Sequence, residues 1–503
     1  MFFAQFLRRF LLLSIGLALT CRAAEVCLQI LQTTDIHGHV MAEPGEAGSW
    51  YQLGTLIREQ RESFGEDRTL LFDTGDTIQG TMLASLSRGE ACLVPLRNLR
   101  YDGWVPGNHE PDFGLGHFFD LAEDFRDLIL CGNLFPEGRA PYTAWRLFVR
   151  GGARIAVIGM TASYMKNWLP NRPGEECRVT LAVDEMRTLL PEILREKPDM
   201  IVLACHQAWL EGTDPRNVNE VAAIARMFPE IDLILGAHSH RVMPGHRIGN
   251  GTWYVQPGCH GRELAVITVR LDTEQHKVLD ISSKIRRVSQ RTPGDSRAIL
   301  GLDGWLRRTR STAAERLTPA LPNAVGWEGR PGVDCQASEL FCLALAKASN
   351  AKIAFHGVLA KMQFEADKPV TGRDLFEFVP YENTIFTAWL TPDEIGRIVA
   401  EQWAKRDIYT YCGIWGAEVR LETGGAIVTS IDGHPPVKGQ RYLVAFNSFT
   451  AAGSGRYPVL KKLLAAPDAR LTDTGVSTRQ AVGDYLKSRR DWPLRPKTWL
   501  SLE

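Results

Sequence analysis

The sequence predicts an α/β protein in two units, and three observations carry that prediction. Short apolar runs of β-forming residues recur through the first half of the chain. Segments with helical spacing separate them. Each run ends in a Gly-containing or polar turn, the layout of a sheet whose strand ends gather at one edge.

In chain order, Val26–Leu31 leads into TTDIHGH, and a helical pattern follows at Trp50–Glu62. Thr69–Phe72 ends in DTGD. Trp104 and Val105 precede PGNHE, and Ile155–Ile158 precedes GMTA. After a second helical pattern at Leu181–Glu196, Ile201–Ala204 precedes CHQ and Leu233–Leu235 precedes GAHSH. Leu264–Asp272 alternates apolar and polar residues, the mark of a half-exposed strand. A polar, turn-rich stretch near residues 285–300 closes a first unit spanning 25–290. Residues 291–317 form a connector whose basic Leu302–Leu317 stretch, poor in apolar residues, is a linker helix. The second unit, 318–503, is smaller and also α/β. It carries a helix at Ala337–Ser349 and a strand at Thr384–Leu390. Thr391 and Glu394 form a capping box opening a helix through Ala404. A strand at Tyr442–Phe446 and a last helix at Ser477–Lys487 complete it. There is no internal repeat.

Composition excludes several classes. With 503 residues, 45% hydrophobic and 23% charged, the chain is an ordinary folded protein and not a disordered or fibrous one. Lys+Arg and Asp+Glu both number 58, so nothing draws it broadly to a nucleic acid polymer, although a local basic pocket remains compatible. Residues 1–24 read as a secretory signal: Arg8 and Arg9, then the apolar run Phe10–Thr20, then Ala23 and Ala24. The run is short for a membrane span, and the rest holds no long apolar stretch. An exported product, periplasmic or extracellular and without a stable span, is the expectation. Removing the segment removes three arginines and no acid, leaving acidic residues in slight excess. An uncleaved anchor, a lipoprotein at Cys21 and a twin-arginine signal are alternatives. The ten cysteines contain no CxxC pair. They are read as buried small hydrophobes with one or two disulfides, and not as zinc ligands.

The chemistry lies where strands end. Asp35-x-His37, Asp76, Asn108-His109, His206 and His238-x-His240 each follow a predicted strand. Each piece alone is common. Together, in this order and each behind an apolar run, they place enough nitrogen and oxygen donors on one edge to hold two divalent cations.

This ordered set resembles the calcineurin-like metallophosphoesterases. It is more closely similar to the secreted 5'-nucleotidase and UDP-sugar hydrolase family, which adds a distinct C-terminal domain. The resemblance runs from about Leu28 to Lys487 and is looser in the second unit. It implies a four-layer αββα metallophosphoesterase domain followed by a smaller α/β C-terminal substrate domain. It implies that Asp35, His37 and His240 bind one metal, that Asn108, His206 and His238 bind the other, and that Asp76 bridges them. Mn, Zn, Fe or Co suit such ligands. A shared carboxylate would keep the ions ~3.5–4 Å apart, acidify a water and neutralise a phosphate. His109, oriented by Asp112, would protonate or hydrogen-bond the leaving oxygen. Pro111 replaces the family's usual aromatic residue without changing the His109-to-Asp112 spacing. Asp73 is expected in a turn, Glu110 in a structural role, and His39 behind the ligands.

In the second unit, PYEN (Tyr381) and GSGRY (Tyr457) match the family's two ring-stacking segments, with buried core as the other reading of either tyrosine. The family's arginines are absent: no arginine occurs between Arg330 and Arg373, and Leu359 and Ala360 stand in the loop that would carry one. Lys347, Lys352 and Lys361 read as solvated charges. The expected activity is therefore a dimetal phosphoesterase acting on a small-molecule phosphate ester, with 5'-nucleotides as the leading substrates. Cyclic-nucleotide phosphodiester cleavage, UDP-sugar or thiosulfonate hydrolysis on the same centre, and a fold that has lost catalysis are the alternatives.

Overall fold

A computed structural model describes residues 25–165, 177–211, 218–489 and 494–502. The segment read as an export signal lies outside the described residues. Among the described residues, no helix is long and apolar enough to cross a membrane.

The first unit is built on two facing sheets. One holds, in spatial order, the strands Lys277–Arg287, Glu263–Asp272, Glu25–Thr33, Thr69–Asp73 and Gly103–Trp104. The other holds Val242–Ile248, Thr252–Pro257, Leu233–Leu235, Met200–Cys205, Ala153–Met160 and Trp145–Arg150. Between the sheets, Ile30, Leu70, Phe72 and Ile267 pack against Ile155, Val157, Val202 and Leu235. Outside the first sheet, Trp50, Leu53, Leu96 and Phe118 from three helices pack on Leu31, Leu71 and Trp104. Outside the second, Met186, Leu190, Ile193 and Ile224 pack on Ile158, Leu203 and Ile234. The result is the four-layer αββα order. The strands leading to the motifs run parallel: Glu25–Thr33 with Thr69–Asp73, and Met200–Cys205 with its neighbours on both sides. Parallel neighbours deliver their C-terminal turns to the same edge.

Leu264–Asp272 departs from the half-exposed strand expected. It lies between two neighbours in the first sheet, and both of its faces are covered. Ala265, Ile267, Val269 and Leu271 enter the inter-sheet core, while Leu264 and Val266 meet the helices. In this strand Arg270 alone is exposed.

The helix Asp303–Ala314 has no fully buried residue, and its Trp305 and Leu306 pack on the core of the first unit. The second unit centres on a five-stranded sheet in the order Gly413–Trp415, Ile353–His356, Tyr442–Asn447, Thr384–Leu390 and Thr472–Ser477. Helices Gln336–Ser349 and Thr478–Ser488 share one core with it. Pro392–Ala404 and Pro458–Leu464 share the other. The Thr391–Glu394 capping box is formed. The nine described cysteines are all unpaired, so the expectation of one or two disulfides is not met within these residues.

Candidate metal centre

The ligand loops are fixed by backbone geometry before any side chain acts. The Asp35 amide donates to the Gly75 carbonyl at 2.8 Å, and His37 and Gly38 donate to Asp76 and Thr77 at 2.8 and 2.9 Å. The first two motifs therefore continue the pairing of their strands. Glu110, fully buried, accepts from the amides of Asp76 at 3.1 Å, Thr77 at 2.6 Å and Gly107. One carboxylate thus locks the DTGD and GNHE turns together. Gly75 and Gly107 make that fit possible. A Cβ on Gly75 would sit 2.5 Å from the Gly107 nitrogen, and one on Gly107 would sit 2.5 Å from the Asp76 nitrogen. Asp73 is the turn former expected, accepting from Gly75 N–H and from the Thr33 and Thr77 hydroxyls.

Strain concentrates at this edge. Asp35, His37, Asp76, His238 and His240 all have φ between 48° and 72°. Non-glycine residues rarely adopt that region, and they do so mainly where surrounding structure holds them for a purpose.

The side chains converge. One donor atom from each of Asp35, His37 and His240 lies within 4.8 Å of the others, and the same holds for Asp76, His206 and His238. The triads touch: His37 Nε2 is 3.8 Å from Asp76 Oδ2, and the His238 amide donates to the Asp35 carboxylate. The His109 amide donates to Asp76 Oδ1 at 2.8 Å, which ties Asn108 to the same centre. Six of the seven candidate ligands are thus brought together by their donor atoms, and Asn108 adjoins them through the amide of His109.

The donors are arranged for cations. Asn108 Oδ1 is buried and has no hydrogen-bond partner. His206 Nδ1 is occupied at 2.7 Å by the Thr74 carbonyl, so Nε2 is the atom turned to Asp76, 3.0 Å away. His37 and His240 face each other through Nε2 atoms 3.1 Å apart. Burial pushes His238 and His260 down to about 3 and lowers His37 and His240, which keeps these imidazoles in the neutral, ligating form. Burial also raises Asp35 to about 7. In Asp76 and His206 burial is outweighed by their mutual attraction. Asp76 is held well below the carboxylate range, and His206 is pushed up to about 9. A cation between them would take the place of that proton.

His109 stands beside the triads, 34% of its side chain exposed, with Nδ1 2.8 Å from Asp112 Oδ2. Burial opposes its charge, but Asp112 and Asp76 outweigh burial and raise it to about 10. His39 hydrogen-bonds the carbonyls of Ile36 and His37 and so stays behind the ligands.

The two tyrosines differ. Tyr381 is 46% exposed, and the carbonyl of its neighbour Pro380 accepts from Gln79, three residues past Asp76. It therefore stands next to the metal edge. Tyr457 is 1% exposed and packed in the core of the second unit, which corrects its expected stacking role. The turn after helix Pro392–Ala404 encloses it: Lys405 Nζ lies over the ring at 5.0 Å, and the Thr410 hydroxyl is 3.4 Å from its own. That same turn presents Tyr409, 89% exposed. Sequence reasoning missed Tyr409. The aromatic pair in DIYTYC was visible, but not which ring would face outward.

A two-sheet sandwich with paired donor triads at its strand ends defines a dimetal-type hydrolase scaffold. Comparison with known families places it further. Residues 28–242 match the calcineurin-like phosphoesterase model, and residues 323–462 match the 5'-nucleotidase C-terminal domain. The chain thus carries a calcineurin-like phosphoesterase domain followed by a 5'-nucleotidase C-terminal domain. It is 25% identical to an uncharacterized metallophosphoesterase, YunD, of Bacillus subtilis, over 58% of this chain and 60% of that one. It is 25% identical to a snake venom 5'-nucleotidase of Gloydius brevicauda, over 51% of this chain and 46% of that one. The chain thus spans about half the length of the curated relatives it matches. A candidate 5'-nucleotidase of Staphylococcus aureus, solved with α-ketoglutarate, shares the fold at TM-score 0.76 and 20% identity, over 95% of this chain and 100% of that one.

Proposed function

We propose that the chain is an exported dimetal phosphoric ester hydrolase whose leading substrates are 5'-nucleotides and related nucleotides. One observation carries the reading: two donor triads share a wall, with the partnerless oxygen of Asn108 buried beside it. Asp35, His37 and His240 would hold one ion, and Asn108, His206 and His238 the other, with Asp76 reaching both. Two divalent cations there, of the Mn, Zn, Fe or Co kind, supply positive charge to the phosphoryl oxygens and lower the pKa of water to the neutral range.

The chain's own groups do the rest. Asp112 accepts the His109 Nδ1 proton, which leaves Nε2–H as the donor to the leaving oxygen. The Asp112 carboxylate raises that imidazole against burial, which favours its acid form. Tyr381, half-exposed beside the metal edge, offers a ring face to a planar leaving group. Export rests on the composition of residues 1–24. A second reading, a phosphodiesterase for cyclic or sugar nucleotides, is favoured by the lack of arginine from 331 to 372. A diester carries less negative charge than a monoester and needs less guanidinium to hold it.

A phosphate-release screen tests this. Purified protein loaded with Mn, Zn, Co or Mg meets nucleoside monophosphates, UDP-sugars, cyclic nucleotides and an aryl phosphate. Metal-dependent hydrolysis is expected, and Asp76→Ala loses both the metal and all activity. Activity that persists in Asp76→Ala, or in fully chelated protein, rejects the reading.

A further inference from the structure

Cys259 and His260 belong to neither triad, yet they stand against one. Their loop joins Thr252–Pro257 in the second sheet to Glu263–Asp272 in the first, so it crosses between the sheets at the ligand edge. The His260 amide donates to the Asp35 carbonyl at 2.7 Å, pinning the loop to the first ligand turn. His260 itself is left-handed, φ 59°, between Gly258 and Gly261, which are left-handed too. Its ring stacks on His39 at 4.4 Å and lies 5.8 Å from the ring of His240. One donor atom from each of His240, Cys259 and His260 falls within 4.8 Å of the other two.

Two imidazoles and a thiol are three of the four ligands that zinc takes in tetrahedral sites. The His240 side chain is 43% exposed, so water can reach the fourth position. Sulfur sets this cluster apart from both triads, which offer nitrogen and oxygen. Thiolate selects zinc over magnesium or manganese.

We propose that His240, Cys259 and His260 form a third cation site, selective for zinc, that shares His240 with the first triad. Binding forms a zinc–sulfur bond and releases the thiol proton to solvent. Zinc held there withdraws His240 from the Asp35–His37 pair, so excess zinc shuts off turnover supported by manganese. The inhibitory consequence rests on the hydrolase reading above, whereas the site itself does not.

Cobalt(II) is the probe, because only a thiolate ligand gives it a strong near-ultraviolet charge-transfer band. Metal-free full-length protein titrated with cobalt shows that band, and Cys259→Ser lacks it while keeping the visible cobalt absorption of the triads. Zinc added to the manganese-loaded protein inhibits the native enzyme, and the zinc concentration needed rises at least about 10-fold in Cys259→Ser. Cobalt binding also protects Cys259 from alkylation, read by peptide mass mapping. A band absent from the native protein, or retained in Cys259→Ser, overturns the site. Equal zinc inhibition of both proteins overturns the sharing of His240. If neither protein hydrolyses any phosphate ester, the hydrolase reading fails, and the cobalt spectra still decide the site.

Discussion

His109 sits between two carboxylates that pull its proton equilibrium the same way. Asp112 contacts Nδ1, Asp76 lies behind it, and together they overcome burial and raise the imidazole to about 10. A raised value means the acid form persists through neutrality and is lost only as pH climbs through that value. Asp112→Asn removes one of the two attractions, so His109 loses its proton at lower pH. The basic limb of the kcat profile should therefore move down, with metal content unchanged. The effect belongs to substrates with a poor, alkoxide-like leaving group, for which about a 10-fold or greater fall is expected above neutrality. An aryl phosphate, whose leaving group needs no proton, should be little affected. A uniform loss on both substrates at every pH would give Asp112 a merely structural role.

Elements explain why some of this was legible and some was not. The ligands were readable because each follows a strand, and parallel strands must end on a common edge. The Thr391 capping box was readable because it is local, Thr391 and Glu394 exchanging bonds within one turn. Replacing Thr391 by Ala should cost about 1 kcal/mol, seen as a lower midpoint in denaturant with activity per folded molecule unchanged. For Tyr457 the sequence left stacking and buried core both open, and the structure takes the second. Its burial depends on Lys405 and Thr410 from another element, which no periodicity around GSGRY encodes. Leu264–Asp272 misled for a related reason. Thr268 and Arg270 gave it an alternating look, yet a central strand is covered on both faces by layers distant in sequence. Cys259 was read as a small hydrophobe and not as a zinc ligand, and the proposed third site departs from that reading because it depends on which two sheets the Cys259–His260 loop joins.

At the scale of the whole molecule, the two units meet beside the metal edge, and Arg479 takes part in that meeting. Its Nη1 donates to Ser85 Oγ in the first unit and to Glu382 Oε1 in the second, each at 2.6 Å, and its Nε donates to the Val379 carbonyl. The guanidinium also lies over the Phe376 ring. Arg479 and Glu382 are each 12% exposed, so the pair is shielded from screening by salt. Val379 and Glu382 bracket Tyr381, so one guanidinium links the two units and also fixes the segment that carries the ring proposed to face substrate. Arg479→Lys keeps the charge but cannot make the forked contacts. It should raise KM for a nucleotide by roughly 10-fold, about 1.4 kcal/mol of lost positioning. The turnover of a small aryl phosphate, which does not need the second unit, should stay near the native rate, as should bound metal. Steady-state kinetics on the two substrates, with metal content measured in parallel, separates the outcomes. A rise in KM for both substrates alike would mean that Arg479 supports the metal edge itself, and that the second unit does not select the nucleotide through Tyr381.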